Sequence, residues 1–80
     1  MIMEYIASFF THSGAIKYSR FLNKLNINNQ TIPVPRKLSS NCGIGVKFNY
    51  EDNLNNILAE DIEKLFSVKN GQYECIYCAE

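Results

Sequence analysis

Two prolines two residues apart, Pro33 and Pro35, constrain this chain more than any other feature. Each fixes its own φ and removes an N–H donor, so the segment Ile32 to Gly43 (IPVPRKLSSNCG) is neither helix nor central strand. A strand running into it, here Thr31 to Val34, belongs at a sheet edge, where a missing donor faces solvent. Beyond the prolines stand Arg36 and Lys37, then the turn-forming Ser39, Ser40 and Asn41, then Cys42 and Gly43. Glycine directly after the cysteine permits a backbone conformation that other residues resist. A thiol at the end of a stiff, polar loop makes Cys42 the prime candidate for chemistry.

Around that loop the chain reads as alternating strands and helices. Met3 to Phe10 is apolar and aromatic, a strand broken by Thr11, His12, Ser13 and Gly14, with Thr11 or Ser13 as helix N-cap. From Ala15 to about Asn26 the spacing is helical, with Ile16, Phe21, Leu22 and Leu25 on one face. Ile44, Val46 and Phe48 alternate with polar residues and glycine, a third strand with one buried face. Leu54, Ile57, Leu58, Ile62, Leu65 and Phe66 fall at helical spacing behind Glu51 and Asp52, which suit a helix N-terminus. Asn70–Gly71 is a turn, and Tyr73 to Tyr77 a last strand. The order predicts an α+β domain over residues 1–80. Its expected form is a ferredoxin-like βαββαβ fold, with a four-stranded antiparallel sheet of order 4-1-3-2 and two helices on one face.

Composition narrows the function classes. Eighty residues make one small domain, of a size that buries only about 60% of its unfolded surface. Eight basic and eight acidic residues cancel to a formal net charge of zero, which disfavours a nucleic-acid binder held by phosphate charge. No apolar run approaches the ~20 residues that span a bilayer, and the start Met-Ile-Met-Glu lacks a secretory signal's basic region. Three cysteines fit a reduced, cytoplasmic protein better than a disulfide framework. No nucleotide loop, carboxylate pair or metal motif points to a hydrolase or kinase, and neither a cofactor nor a metal is expected.

In the expected topology the third strand starts beside the end of the first, where the first helix also starts. Cys42, Gly43, Thr11 and His12 would then gather at one end of the sheet. Helix N–H groups and a protonated His12 favour a thiolate there, and Arg36, Ser39 and Ser40 offer anion-stabilising groups. Each of these residues has a plainer role as well: a solvated turn for His12, a solvated loop for Arg36, turn shaping for Ser39 and Ser40, packing for Cys42. Cys75-Ile-Tyr-Cys78 reads as structural or incidental. With Tyr73 to Cys78 as one strand, side chains three apart point to opposite faces and cannot form a short disulfide, and zinc would need four ligands where three cysteines and one histidine are scattered. The expected fold also puts Cys78 at the far end of the sheet from Cys42.

Pro33-Val34-Pro35-Arg36, then Ser39-Ser40, then Cys42-Gly43 resembles the signature of the selenium/sulfur carrier-like family of small bacterial domains. Weaker similarity covers most of the chain, including the first strand's aromatic, Thr and His end and a helix containing Ala15. The resemblance implies a thiol carrier rather than an independent turnover enzyme. Cys42 would accept a persulfide or perselenide from a donor of the pyridoxal-phosphate cysteine desulfurase type and pass it to an acceptor protein. Two other classes stay open. One is a small interaction or regulatory module, a homodimer paired through a sheet face bearing Ile6, Phe10 and Ile76. The other is a thiol redox sensor.

Overall fold

The computed structural model describes residues 3–34 and 43–79. Its elements are β1 (Met3–Phe9), α1 (His12–Lys24), β2 (Asn29–Pro33), β3 (Ile44–Tyr50), a single 3-10 turn (Leu54–Asn56), β4 (Ile62–Lys69) and β5 (Gln72–Cys78). All neighbouring strands are antiparallel, in the order β2-β3-β1-β4-β5.

The first half of the chain is a split βαβ unit. Because β3 runs antiparallel to both β1 and β2, those two are parallel, and α1 is the crossover between them. The proline-bearing β2 lies at the sheet edge, where its lost donor costs no ladder bond. Thr11 caps α1, its Oγ1 accepting from the Gly14 N–H at 3.0 Å. At the other end Asn26 takes φ 60°, the Asn26 N–H donates to the Asn23 carbonyl, and Ile27 N–H donates back to Leu22 O at 2.9 Å. That pair of bonds is a Schellman closure, with asparagine in the left-handed position usually given to glycine.

The second half departs from the ferredoxin-like expectation. The sheet has five strands, not four, and α1 is the single α-helix among the described residues. The predicted helix from Leu54 to Phe66 reduces to the 3-10 turn capped by Asn53, whose side chain accepts from Asn55 N–H at 3.0 Å. Ile62, Leu65 and Phe66 instead belong to β4, which occupies the place beside β1 expected for the last strand. The order 4-1-3-2 is thereby replaced. The expected order also pairs β1 on both edges, as its burial from Tyr5 through Phe9 requires; what differs is that residues 62–69 take the second edge in place of Tyr73 to Tyr77. The β-branched and aromatic content of Ile62-Glu-Lys-Leu-Phe-Ser-Val68 suits that central position, whereas Asn53, Asn55 and Asn56 are weak helix formers. β5 then follows through a two-residue turn in which Asn70 and Gly71 both have positive φ, 52° and 77°.

Two cores result, one on each sheet face. Tyr5, Ala7, Phe9, Val46, Phe48, Ile62 and Leu65 meet Ala15, Tyr18 and Leu22 of α1, with Ile57 from the connection. The buried side chains of the helix are thus Ala15, Tyr18 and Leu22, beside Gly14, while Ile16, Phe21 and Leu25 of the expected face are exposed, Leu22 alone being shared. On the opposite face Ile6, Val34 and Phe66 form a smaller cluster, with Ile32 and Val68 packed against it. Ile6 is accordingly buried, and the apolar docking face expected from Ile6, Phe10 and Ile76 retains only Phe10 and Ile76 as exposed members.

Candidate functional site

Pro35, Arg36, Lys37, Ser39, Ser40 and Cys42 lie outside the described residues; the positions that flank them are described. Val34 N–H donates to the Gly43 carbonyl at 2.8 Å, one rung beyond the Pro33–Ile44 pair that ends the β2–β3 ladder. Residues 35–42 therefore join two positions already hydrogen-bonded to each other. Gly43 has φ +69°, a left-handed conformation that a side chain resists, which accounts for glycine immediately after the cysteine. Its surroundings are open, since a Cβ there would meet nothing within 4 Å. The requirement at Gly43 is conformational.

Gly45 is glycine for a different reason. A Cβ would sit 2.6 Å from the Ala7 carbonyl oxygen and press into the Val34 side chain. That close approach lets Val34, 6% exposed, fold over the sheet and join Ile6 and Phe66. Chain direction out of β2 is thereby set just before Pro35.

The register gives the location of this end of the sheet. Ser8 of β1 pairs with Gly45 on one side and Lys64 on the other. β1 runs outward past Ser8 to Thr11 and His12, and β3 runs inward from Gly43, so these residues stand at the same end. Thr11 Oγ1 is engaged by Gly14 N–H and lies 3.4 Å from Ser13 Oγ, and His12 is exposed on the first helical residue. Gly14 lets the helix start close on the loop before β4, where a Cβ would come within 3.1 Å of Asp61 Cβ. Phe10 N–H to Asp61 O at 3.4 Å and an exposed Lys17–Asp61 pair at 3.8 Å tie the same corner, the ion pair contributing little.

Two features of this end escaped the sequence reading. The first is Glu63, 2% exposed, at the irregularity where Ser8 pairs with Lys64 but Phe9 pairs with Ile62. Its main-chain carbonyl accepts from Ala79 N–H at 2.9 Å. A carboxyl group so buried is rare without partners, and among the described residues no buried side-chain polar atom lacks one. Taking Leu54–Phe66 as a helix hid it, because a glutamate on a helix reads as solvated.

The second concerns Cys75 and Cys78. β5 pairs Phe66 with Cys75 but Leu65 with Tyr77, so Ile76 is an extra residue in the strand. Cys75 stands opposite Phe66 and Cys78 opposite Lys64; these are two apart on β4, so both cysteines share the face away from α1. Both are exposed and neither is in a disulfide. The expectation of opposite faces fails because of the bulge. The expectation that Cys78 sits at the far end fails because β5 pairs with β4 and not with β1. Ile32, Gly45, Ser8, Lys64 and Cys78 form one row across all five strands, and three strand spacings of ~4.8 Å separate Gly45 from Cys78.

Among the described residues no group of three or more His, Cys, Asp or Glu side chains is placed to hold a metal, and no helix is long and apolar enough to cross a membrane. Neither a curated protein nor a solved structure matches this chain. One family model does match, over residues 4–78, which runs from the second residue of β1 to the last of β5. By that match the chain belongs to the family described as Putative Se/S carrier protein-like.

Proposed function

We propose that this protein carries sulfur or selenium as a persulfide or perselenide on Cys42 and hands it to an acceptor protein. The observation that carries this reading is the pinned turn at Gly43. Its positive φ and its bond to Val34 N–H hold the backbone immediately after Cys42, at the sheet end where Thr11, His12 and the first turn of α1 also stand. Family membership over nearly the whole chain supports the class of cargo, and donor and acceptor partners in general follow from carrying it.

The chemistry asks for few groups. The Cys42 thiolate attacks the outer sulfur of a donor's persulfide, the donor's S–S bond breaks, and its thiolate leaves. Arg36, Ser39, Ser40 and the Gly43 main chain would stabilise the resulting anion, with Thr11 and His12 at the helix start adding to the field. The donor class is a pyridoxal-phosphate cysteine desulfurase, and the protein acts as a carrier and not as an independent turnover enzyme.

Incubation with a cysteine desulfurase and free cysteine tests this. The chain gains about 32 Da per sulfur, reversibly by reductant, because only a thiol accepts sulfane sulfur. Cys42→Ser abolishes the gain and Cys75→Ser/Cys78→Ser retains it. Equal loading of all three cysteines would refute a dedicated carrier residue.

A further inference from the structure

The β5 bulge creates a dithiol that the spacing of Cys75 and Cys78 on a regular strand would not allow. Both side chains lie on the sheet face away from α1, opposite Phe66 and Lys64, and both are exposed on an edge strand. The Cys75 Sγ–H donates to the Tyr77 carbonyl at 3.4 Å, so this thiol is already turned along the strand toward the peptide joining Tyr77 to Cys78. Lys64 and Phe66, the partners two apart on β4, set a separation of roughly 6.8 Å between the paired cysteine backbones. Disulfides accept Cα separations up to about 6.8 Å but need Cβ atoms about 3.5–4.5 Å apart, so closure draws the two side chains together by about 2–3 Å; Cys78, the last residue of an edge strand paired on one side only, is the residue free to make that move.

We infer that Cys75 and Cys78 form a working dithiol that discharges persulfides as hydrosulfide, independently of Cys42. The Cys78 thiolate attacks the outer sulfur of a persulfide RS–SH. The RS–S bond breaks, RS⁻ departs, and Cys78 bears the sulfane sulfur as its own persulfide. The Cys75 thiolate then attacks Cys78 Sγ, the bond to the terminal sulfur breaks, and HS⁻ leaves as the Cys75–Cys78 disulfide closes. One persulfide and two thiolates give one thiolate, one hydrosulfide and one disulfide. The sulfane sulfur gains two electrons and the two cysteines lose them, so no further oxidant is needed. The substrate class is a small-molecule persulfide or one on an exposed protein thiol, since both cysteines are exposed on an edge strand.

The test uses the full chain carrying Cys42→Ser, reduced and kept without oxygen, with glutathione persulfide as the probe. Expected are about one equivalent of sulfide above the reagent's own decay, a mass loss of about 2 Da, and a peptide linking Cys75 to Cys78. Adding Cys75→Ser halts the sequence at a Cys78 persulfide of about +32 Da with no extra sulfide, and adding Cys78→Ser removes both products. Both positions are exposed, so serine leaves the fold intact, and circular dichroism of each variant verifies it. Sulfide release unchanged in either variant, stable persulfides on both cysteines, or no product at all would overturn the dithiol. Because Cys42 is absent, none of these results bears on the carrier reading.

Discussion

Val34 packs over Gly45, so closely that the glycine position has no room for a methyl group. This contact joins the edge strand β2 to the small core of Ile6 and Phe66 on the face that α1 does not cover. It also fixes the course of the chain one residue before the proline-rich loop. Gly45→Ala would drive a Cβ against the Ala7 carbonyl and Val34. A loss of about 1–3 kcal/mol is expected, typical of overpacking against backbone, read as a lowered urea midpoint. Stability equal to the parent would show that Val34 is not held there.

Gly43→Ala separates conformation from space. No atom obstructs a Cβ, yet φ is +69°, so a penalty of about 1–2 kcal/mol is expected from the left-handed backbone alone. Gly43→Asn should recover part of it, because asparagine tolerates this region better. Chemical denaturation of the three proteins gives the order glycine, asparagine, alanine; alanine matching glycine would contradict it.

Tyr18 links α1 to the connection before β4 through its hydroxyl, which donates to the Ile57 carbonyl at 2.7 Å. Burial, with a smaller contribution from Tyr50, pushes this phenol well above its ordinary value. The folded state therefore holds the proton more tightly than the unfolded chain, where tyrosine titrates near about 10. Its stabilising effect is complete below that pH and is lost as pH rises beyond it toward the folded value. Stability of the parent should fall more steeply above about pH 10 than that of Tyr18→Phe. At neutral pH the variant should lose about 1 kcal/mol, or more with the Ile57 carbonyl left unpaired. Parallel alkaline unfolding curves for the two proteins would count against this account.

Thr11→Ala removes the acceptor for Gly14 N–H at the start of α1. About 1 kcal/mol of stability is expected to go with it, and Thr11→Ser should restore most of that. If the helix start also serves Cys42, alkylation of Cys42 by iodoacetamide slows in Thr11→Ala and recovers in Thr11→Ser. Slower alkylation with no loss of stability would argue against capping as the cause.

Leu22 lies in the core beneath the sheet, fully buried, and also supplies the carbonyl that closes the helix C-terminus. Leu22→Ala should cost about 2–5 kcal/mol, enough to threaten a domain this small. Leu25→Ala, on the exposed side of the last turn, should stay within about 0.5 kcal/mol of the parent. Thermal melts of the pair distinguish the buried stripe of Ala15, Tyr18 and Leu22 from the exposed one.

Local chemistry was legible without coordinates wherever it depended on neighbours in sequence. The Thr11 cap, the edge position of the Pro33 strand, the alternation of Ile44, Val46 and Phe48, and the Asn70–Gly71 turn each follow from side chains acting within a few residues. The motif ending in Cys42–Gly43 likewise pointed to the family that the whole chain matches. Leu54 to Phe66 was different. Its apolar residues fit a helical period, yet as a strand Ile62 and Leu65 pack toward α1 and Phe66 and Val68 on the other face, the irregularity beside Phe9 breaking strict alternation, and a short apolar run serves either period. Only tertiary structure decided between them: residues 62–69 pair with β1 along one edge and with β5 along the other, and the ladder to β1 joins residues too far apart in sequence for a local pattern to display. From that choice followed the hairpin to β5. The two-residue turn alone sets Phe66 opposite Cys75, but the extra residue at Ile76 leaves no local signature. That one unpaired residue turns Cys78 onto the face of Cys75, since side chains alternate only while the ladder is regular.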